Sequence, residues 1–143
     1  MPGYAWDLLP KKRKLLDKYR AHYWHNYFKD DDGRTPFAAI STSLGCSFGC
    51  NFCMINIVNR TSYEQGTVSS DSRGMRFWSP ELMLKEFEYL YENGVRTVRL
   101  TDEMFFLNRK YYIPILDGIK QRGMDFNFWA YARVDSVRKD QLE

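Results

Sequence analysis

Phe37-Ala38-Ala39-Ile40-Ser41-Thr42-Ser43 runs through Leu44 and Gly45 straight into Cys46-Ser47-Phe48-Gly49-Cys50-Asn51-Phe52-Cys53. The first seven residues, entered through Pro36, read as a buried strand. The last eight hold all 3 cysteines of the chain, spaced C-x3-C-x2-C. Three thiolates can hold three irons of a cubane 4Fe–4S cluster and leave the fourth iron open, whereas an electron-transfer cluster takes four cysteines. A structural zinc site is the rival reading. Zinc takes four Cys or His ligands, usually as two separated pairs. His22 and His25 are the only histidines, so a Cys3His set stays open. The odd count and the lack of a secretory signal speak against a disulfide framework. Three buried apolar cysteines would leave Gly45 and Gly49 without a reason.

Downstream of this stretch the pattern turns to alternating helix and strand. Residues 59–76 are polar and without period, and read as loop. Ser79 is an N-cap, Pro80 sits at the first helical position, and Glu81 complements the helix dipole. Met83, Phe87 and Leu90 recur at helical spacing and face the core, and Gly94 ends the helix. Val95 to Thr101 reads as a second strand. Asn108 opens a second helix that stops near Gly123, with Pro114 predicting a kink or a later start. Asp125 to Arg133 reads as a third strand, and the chain ends in the beginning of another helix. Strands alternating with helices argue for a parallel sheet with right-handed crossovers.

Upstream lies an arm rich in aromatics and charge, with a helix expected within residues 11–28 and a polar turn at Asp30-Asp31-Asp32-Gly33. Lys11-Lys12-Arg13-Lys14 reads as a solvated helix face. The division is an arm over residues 1–34 and a core over residues 35–143. At 143 residues, 44% hydrophobic and 17% aromatic, the chain can form a domain with a real core. A net charge of +3 is too weak to imply nucleic acid. No apolar stretch approaches a membrane span. Thiols that ligate an oxygen-sensitive cluster suit the reducing cytoplasm.

Side chains alternate along a strand. Val98 and Leu100 form an apolar, helix-facing row. Thr97, Arg99, Thr101 and Glu103 form the opposite row, directed at a ligand. In the third strand Phe126, Phe128, Ala130 and Ala132 oppose Asn127, Trp129, Tyr131 and Arg133. Functional groups of parallel barrels gather at the C-terminal ends of strands, where the cysteine loop and Thr101-Asp102-Glu103-Met104 both lie.

The cysteine spacing, with aromatic Phe52 before the last cysteine, resembles the radical S-adenosylmethionine (radical SAM) enzymes. Gly3-Tyr4-Ala5-Trp6-Asp7-Leu8-Leu9-Pro10, Asp102-Glu103-Met104-Phe105 and Trp129-Ala130-Tyr131-Ala132-Arg133-Val134-Asp135 are similar to stretches of the class that carries a cobalamin-binding domain. The resemblance implies an α/β fold, the N-terminal half of a partial (β/α)6 TIM-like barrel preceded by an aromatic, partly helical arm. Three strands where that core has six imply that the chain is an incomplete fragment of the core. It further implies that Cys46, Cys50 and Cys53 hold a 4Fe–4S cluster and that Phe52 lies near the adenine of S-adenosylmethionine. Glu103, with Asp102 as fallback, would meet the amino group of that cofactor and Arg133 its carboxylate. Only Glu103 matches the Gly-Gly-Glu-Pro-like motif of the family. The implied activity is reductive cleavage of S-adenosylmethionine to a 5′-deoxyadenosyl radical, for methylation or another transformation of a small-molecule substrate. The implied partner is a one-electron reductant such as flavodoxin or ferredoxin, and cobalamin would come from a domain absent from this chain. The alternative is a zinc-binding Cys3His interaction module without catalysis.

Overall fold

The apolar run before the cysteines forms the first strand of a parallel sheet. The structure, a computed structural model, describes residues 3–14, 16–22, 35–48, 50–55 and 75–136. Strand β1 spans Phe37–Ile40; β2 (Ser43–Leu44) and β3 (Arg76–Phe77) form a separate antiparallel ladder. Helix α1 (Pro80–Glu92), strand β4 (Thr97–Leu100), helix α2 (Arg109–Gln121) and strand β5 (Asn127–Trp129) follow. The sheet order is β1-β4-β5, all parallel. Phe37 lies opposite Thr97 and Ile40 opposite Leu100, while Arg99 lies opposite Trp129. The chain is therefore α/β, with α2 making the crossover from β4 to β5.

Both helices end by the same local chemistry. Ser79 is extended, and its Oγ accepts from the Leu82 N–H at 3.2 Å, which caps α1. At the other end Gly94 has a φ of 84°, its N–H bonds to Tyr91 O, and the Val95 N–H bonds to Leu90 O. That is a Schellman ending, with Val95 and Leu90 both buried in the core. Gly123 (φ 65°) and Met124 repeat it on α2, bonding to Lys120 and Ile119. Helix α2 runs from Arg109 through Pro114. The carbonyl that Pro114 leaves without its usual partner belongs to Lys110, an exposed residue, where water can satisfy it.

The strands are shorter than the sequence predicts. Val95 is taken up in the helix ending. Beyond Leu100 the ladder continues only by the Thr101 N–H to Ile40 O bond of 2.8 Å. Past that bond the β1 segment leaves the sheet for the cysteine loop, and the β4 segment leaves it for the Phe105–Leu107 turn.

Alternate residues of the sheet separate two faces. Ala38, Ile40, Val98 and Leu100 pack with Met83, Phe87, Leu90, Ile115 and Ile119 in one core. Phe126 and Phe128 join it, the first tilted against the Phe87 ring and the second edge-to-face with it. On the other face Ala39, Arg99, Thr101, Trp129 and Tyr131 are exposed.

The arm corrects one expectation. Residues 11–14 and 16–22 form no helix. The Asp17 carboxylate instead accepts the backbone N–H groups of Lys12, Arg13 and Lys14 at 2.8, 2.5 and 2.9 Å. The backbone curls round this anion rather than into a helical ladder. Leu16, with a φ of 58°, turns its side chain into the core. The chain then runs antiparallel to the entry of β1, through an Arg20–Pro36 bridge and a Phe37 N–H to Tyr19 O bond of 2.8 Å. Upstream, Trp6–Leu8 forms a short 3-10 turn. The remainder of the expected 11–28 helix, the turn at Asp30–Gly33, His25, most of the expected 59–76 loop and the final helix start lie outside the described residues.

Candidate functional site

Between β1 and Cys46 the backbone is held by four side chains from three parts of the chain. The Tyr4 hydroxyl donates to Ser41 O at 2.6 Å and accepts from the Ser41 N–H at 2.9 Å. Asp102, fully buried just past β4, accepts from Thr42 N–H and Oγ1 and from Ser43 N–H and Oγ, at 2.5–3.1 Å. The Tyr111 hydroxyl on α2 donates to Thr42 O at 2.6 Å. Glu103 accepts the Gly45 N–H at 3.1 Å. Gly45 has a φ of 97°, a conformation that only glycine adopts without strain. Burial raises the Tyr4 hydroxyl above its ordinary value and pushes Tyr111 up to about 12. Both therefore keep the protons they donate at neutral pH.

Tyr4 is itself fixed from α1. Glu86, buried on the apolar stripe, accepts the Tyr4 N–H at 3.1 Å on one oxygen and Trp6 Nε1–H at 2.8 Å on the other. The Tyr4 and Trp6 rings stack with centroids 5.1 Å apart. A carboxylate among Met83, Phe87 and Leu90 is a signal the sequence reading passed over, since a buried charge demands partners.

The two neighbouring acids differ in what they leave available. Asp102 continues the helix-facing row of Val98 and Leu100, and both its oxygens are engaged by Thr42 and Ser43. Glu103 is half-buried and uses one oxygen on Gly45. Its other oxygen has no partner among the described residues.

Along the loop, exposure grows from buried Cys46 through half-buried Cys50 to exposed Cys53. The Cys53 N–H bonds to Cys50 O at 3.1 Å, closing a turn between the last two cysteines. Phe52 projects into solvent, 92% exposed. Arg133 reaches back from beyond β5. Its guanidinium lies 4.1 Å over the Phe48 ring, with Nη1 3.8 Å from Cys50 Sγ. Its Nε and Nη2 grip Asp135 at 2.9 and 2.7 Å. That pair holds the Asp135 carboxyl below its usual range and raises the Arg133 guanidinium further.

Among the described residues no three Cys, His, Asp or Glu side chains are gathered closely enough to hold a metal ion. The cysteines share a loop with a fixed stem, but their sulfurs do not converge there. His22 is exposed, and His25 lies outside the described residues. The donor set itself, three thiols in one short loop, is soft-ligand chemistry that suits zinc and iron–sulfur alike. No helix among the described residues is long and apolar enough to cross a membrane.

Against known proteins, the chain is similar to the uncharacterized methyltransferase PH0819 of Pyrococcus horikoshii, 34% identical over 140 residues. The match takes in 97% of this chain and 24% of that protein, so the chain spans about a quarter of the relative's length. No family model matches the chain. No solved structure matches it either.

Proposed function

We propose that this chain is the first part, residues 35–143 with the arm 1–34 strapped to it, of the core of a radical SAM methyltransferase. The observation that carries the reading is the C-x3-C-x2-C loop mounted at the C-terminal end of β1 on a stem whose polar groups are met by Tyr4, Asp102, Glu103 and Tyr111. Similarity to a protein named a methyltransferase supports the methyl-transfer outcome. The three-stranded parallel sheet is compatible with the opening of a partial (β/α)6 barrel, in which ligands bind at the C-terminal ends of strands.

Cys46, Cys50 and Cys53 would hold a 4Fe–4S cluster, since their thiols suit iron and leave one iron for an outside ligand. When bound, such a cluster supplies the electron for homolytic cleavage of S-adenosylmethionine. The chain's own residues bind and orient. Glu103 offers the ammonium of the cofactor, beside the cysteine loop, the oxygen that has no partner among the described residues. Arg133, already at Cys50, is placed to receive a carboxylate if Asp135 yields. Exposed Phe52 offers a ring to the adenine. Asp102 holds the loop and touches no cofactor. The electron would come from a flavodoxin or ferredoxin, and cobalamin, where used, from a further domain; a cytoplasmic setting suits both.

The test is anaerobic reconstitution with iron and sulfide. Brown protein with about four irons is expected, and Cys46→Ala, Cys50→Ala and Cys53→Ala should each lose it. Stoichiometric zinc without iron uptake would instead favour the Cys3His module. In the loaded protein Glu103→Gln should weaken S-adenosylmethionine binding by about 1.5–3 kcal/mol without altering the cluster spectrum.

A further inference from the structure

The face of the sheet opposite the helices carries the row that the sequence directs at a ligand, and its groups point to the chemistry of that ligand. Parallel sheets are normally buried on both sides, and their strands are apolar throughout. Here both helices lie on one side, and the other is built to be wet. Across its middle run Ala39, Arg99 and Trp129, in register on β1, β4 and β5, all three exposed. Neighbouring strands lie about 4.8 Å apart, so a small residue, a cation and a flat aromatic ring stand side by side. Toward the N-terminal end the face is closed by Thr97, which is buried, with Thr35 Oγ1 3.4 Å from its hydroxyl. Toward the C-terminal end it opens onto hydroxyls: Ser41 Oγ lies 2.6 Å from Thr101 Oγ1, and the Tyr131 hydroxyl accepts a bond from Arg99 Nη2.

Arg99 is the informative residue. It sits mid-strand on the central strand, and its partners are the Tyr131 hydroxyl and the Tyr131 ring, 5.4 Å away. Among the described residues no carboxylate pairs with it. Of the two acids that follow β4, Asp102 is engaged by Thr42 and Ser43, and Glu103 turns one oxygen to Gly45. A guanidinium presents a planar fork matched to carboxylate or phosphate. Beside it, Trp129 and Tyr131 are 43% and 52% exposed, and both offer ring surface.

We propose that this face binds a small molecule carrying an aromatic ring and an anionic group, with Arg99 taking the anion and Trp129 and Tyr131 the ring. Ala39 leaves room for the ligand beside the guanidinium. Calling this ligand the substrate rests on the radical SAM reading; the binding itself does not, because none of these residues is a cysteine ligand.

The test uses the full chain without metal. Benzoate and phenyl phosphate are titrated while tryptophan emission is followed, with Trp129→Phe identifying the signal among the 4 tryptophans and neutral benzamide as control. Both anions should give saturable changes that weaken with salt, and the stronger binder tells carboxylate from phosphate chemistry. Benzamide should bind at least about tenfold more weakly, Arg99→Gln should lose about tenfold or more, and Arg99→Lys should fall between. Equal binding of benzamide, no saturable response to either anion, or an Arg99→Gln variant that binds like wild type would overturn the proposal. So would a concentration-dependent dimer whose interface hides Trp129 from every probe. The benzoate–benzamide contrast needs no variant, so a poorly folding substitution does not blunt the test. Iron uptake without anion binding would sink this inference alone, and anion binding without iron uptake would sink only the cluster.

Discussion

Replacing Asp102 tests whether the cysteine loop is mounted as described. Its carboxylate meets two N–H groups and two hydroxyls of Thr42 and Ser43, and both residues are buried. In Asp102→Ala the hydroxyls can turn to other acceptors, but the N–H groups cannot. Each N–H left buried and unpaired costs about 1–3 kcal/mol, so the pair costs about 2–6. We expect a loss of about 4 kcal/mol, a large part of the roughly 5–15 kcal/mol typical of a domain. Asp102→Asn should lose about half as much, because one amide oxygen can still replace the oxygen that makes four of the five contacts, now without its charge. Urea unfolding followed by circular dichroism gives both values, with an unchanged m marking a change in stability alone. A second readout is alkylation of Cys46, buried in wild type, which should quicken in both variants below the unfolding transition. An Asp102→Ala protein within about 1 kcal/mol of wild type would mean that the loop does not depend on this carboxylate.

Other substitutions probe the arm and the core. A Cβ on Gly3 would fall 2.0 Å from Glu86 Oε1, so Gly3→Ala should free Tyr4 and Trp6, costing about 2–3 kcal/mol by thermal melting; a neutral result would show that the strap is dispensable. Tyr112 is buried, and its hydroxyl has no partner among the described residues, so Tyr112→Phe should stabilise the fold by about 1 kcal/mol in urea, and destabilisation would reveal a partner for that hydroxyl. Asp17 is held at about 2, from 3.8, by the three N–H groups it accepts. Its folded value lies below its unfolded one, so its contribution is complete above about pH 4 and lost as pH falls through 2. The Lys12–Lys14 amide resonances should titrate in that window and not in Asp17→Asn.

What was legible in the sequence was what is decided locally. Ser79, Pro80, Gly94 and Gly123 mark helix ends because caps and Schellman turns involve residues a few positions apart. The period-two rows put Arg99 and Trp129 on one face and Val98 and Leu100 on the other, as found. The same rule carried one step further puts Asp102 in the apolar row, where a charge must find partners, and Thr42 and Ser43 provide them. What failed was the arm. Lys11–Lys14 reads as a solvated helix, but Asp17 competes for the same N–H groups, and the burial of Leu16 fixes a backbone that no helix contains. No local signal weighs an anion against a helical ladder when the deciding contact is with a core formed later in the chain.

The arrangement of these contacts separates what is rigid from what is free. Residues 41–45 are tied to the arm, to the end of β4 and to α2, elements up to 69 positions apart in sequence. Past Gly45 exposure rises from Cys46 to Cys53. A loop fixed at its stem and exposed at its tip can close around a ligand without disturbing the sheet. The stem holds the thiol loop at the C-terminal end of β1, beside Glu103 and next to the face that carries Arg99. The strap through Tyr4 and Glu86 then has a role beyond stability. Loosening it should leave α1 and the sheet folded while releasing Ser41, so its effect on thiol reactivity should exceed its effect on unfolding. A Tyr4→Phe protein in which Cys46 stays as protected as in wild type would show that Asp102 and Tyr111 hold the stem without the arm.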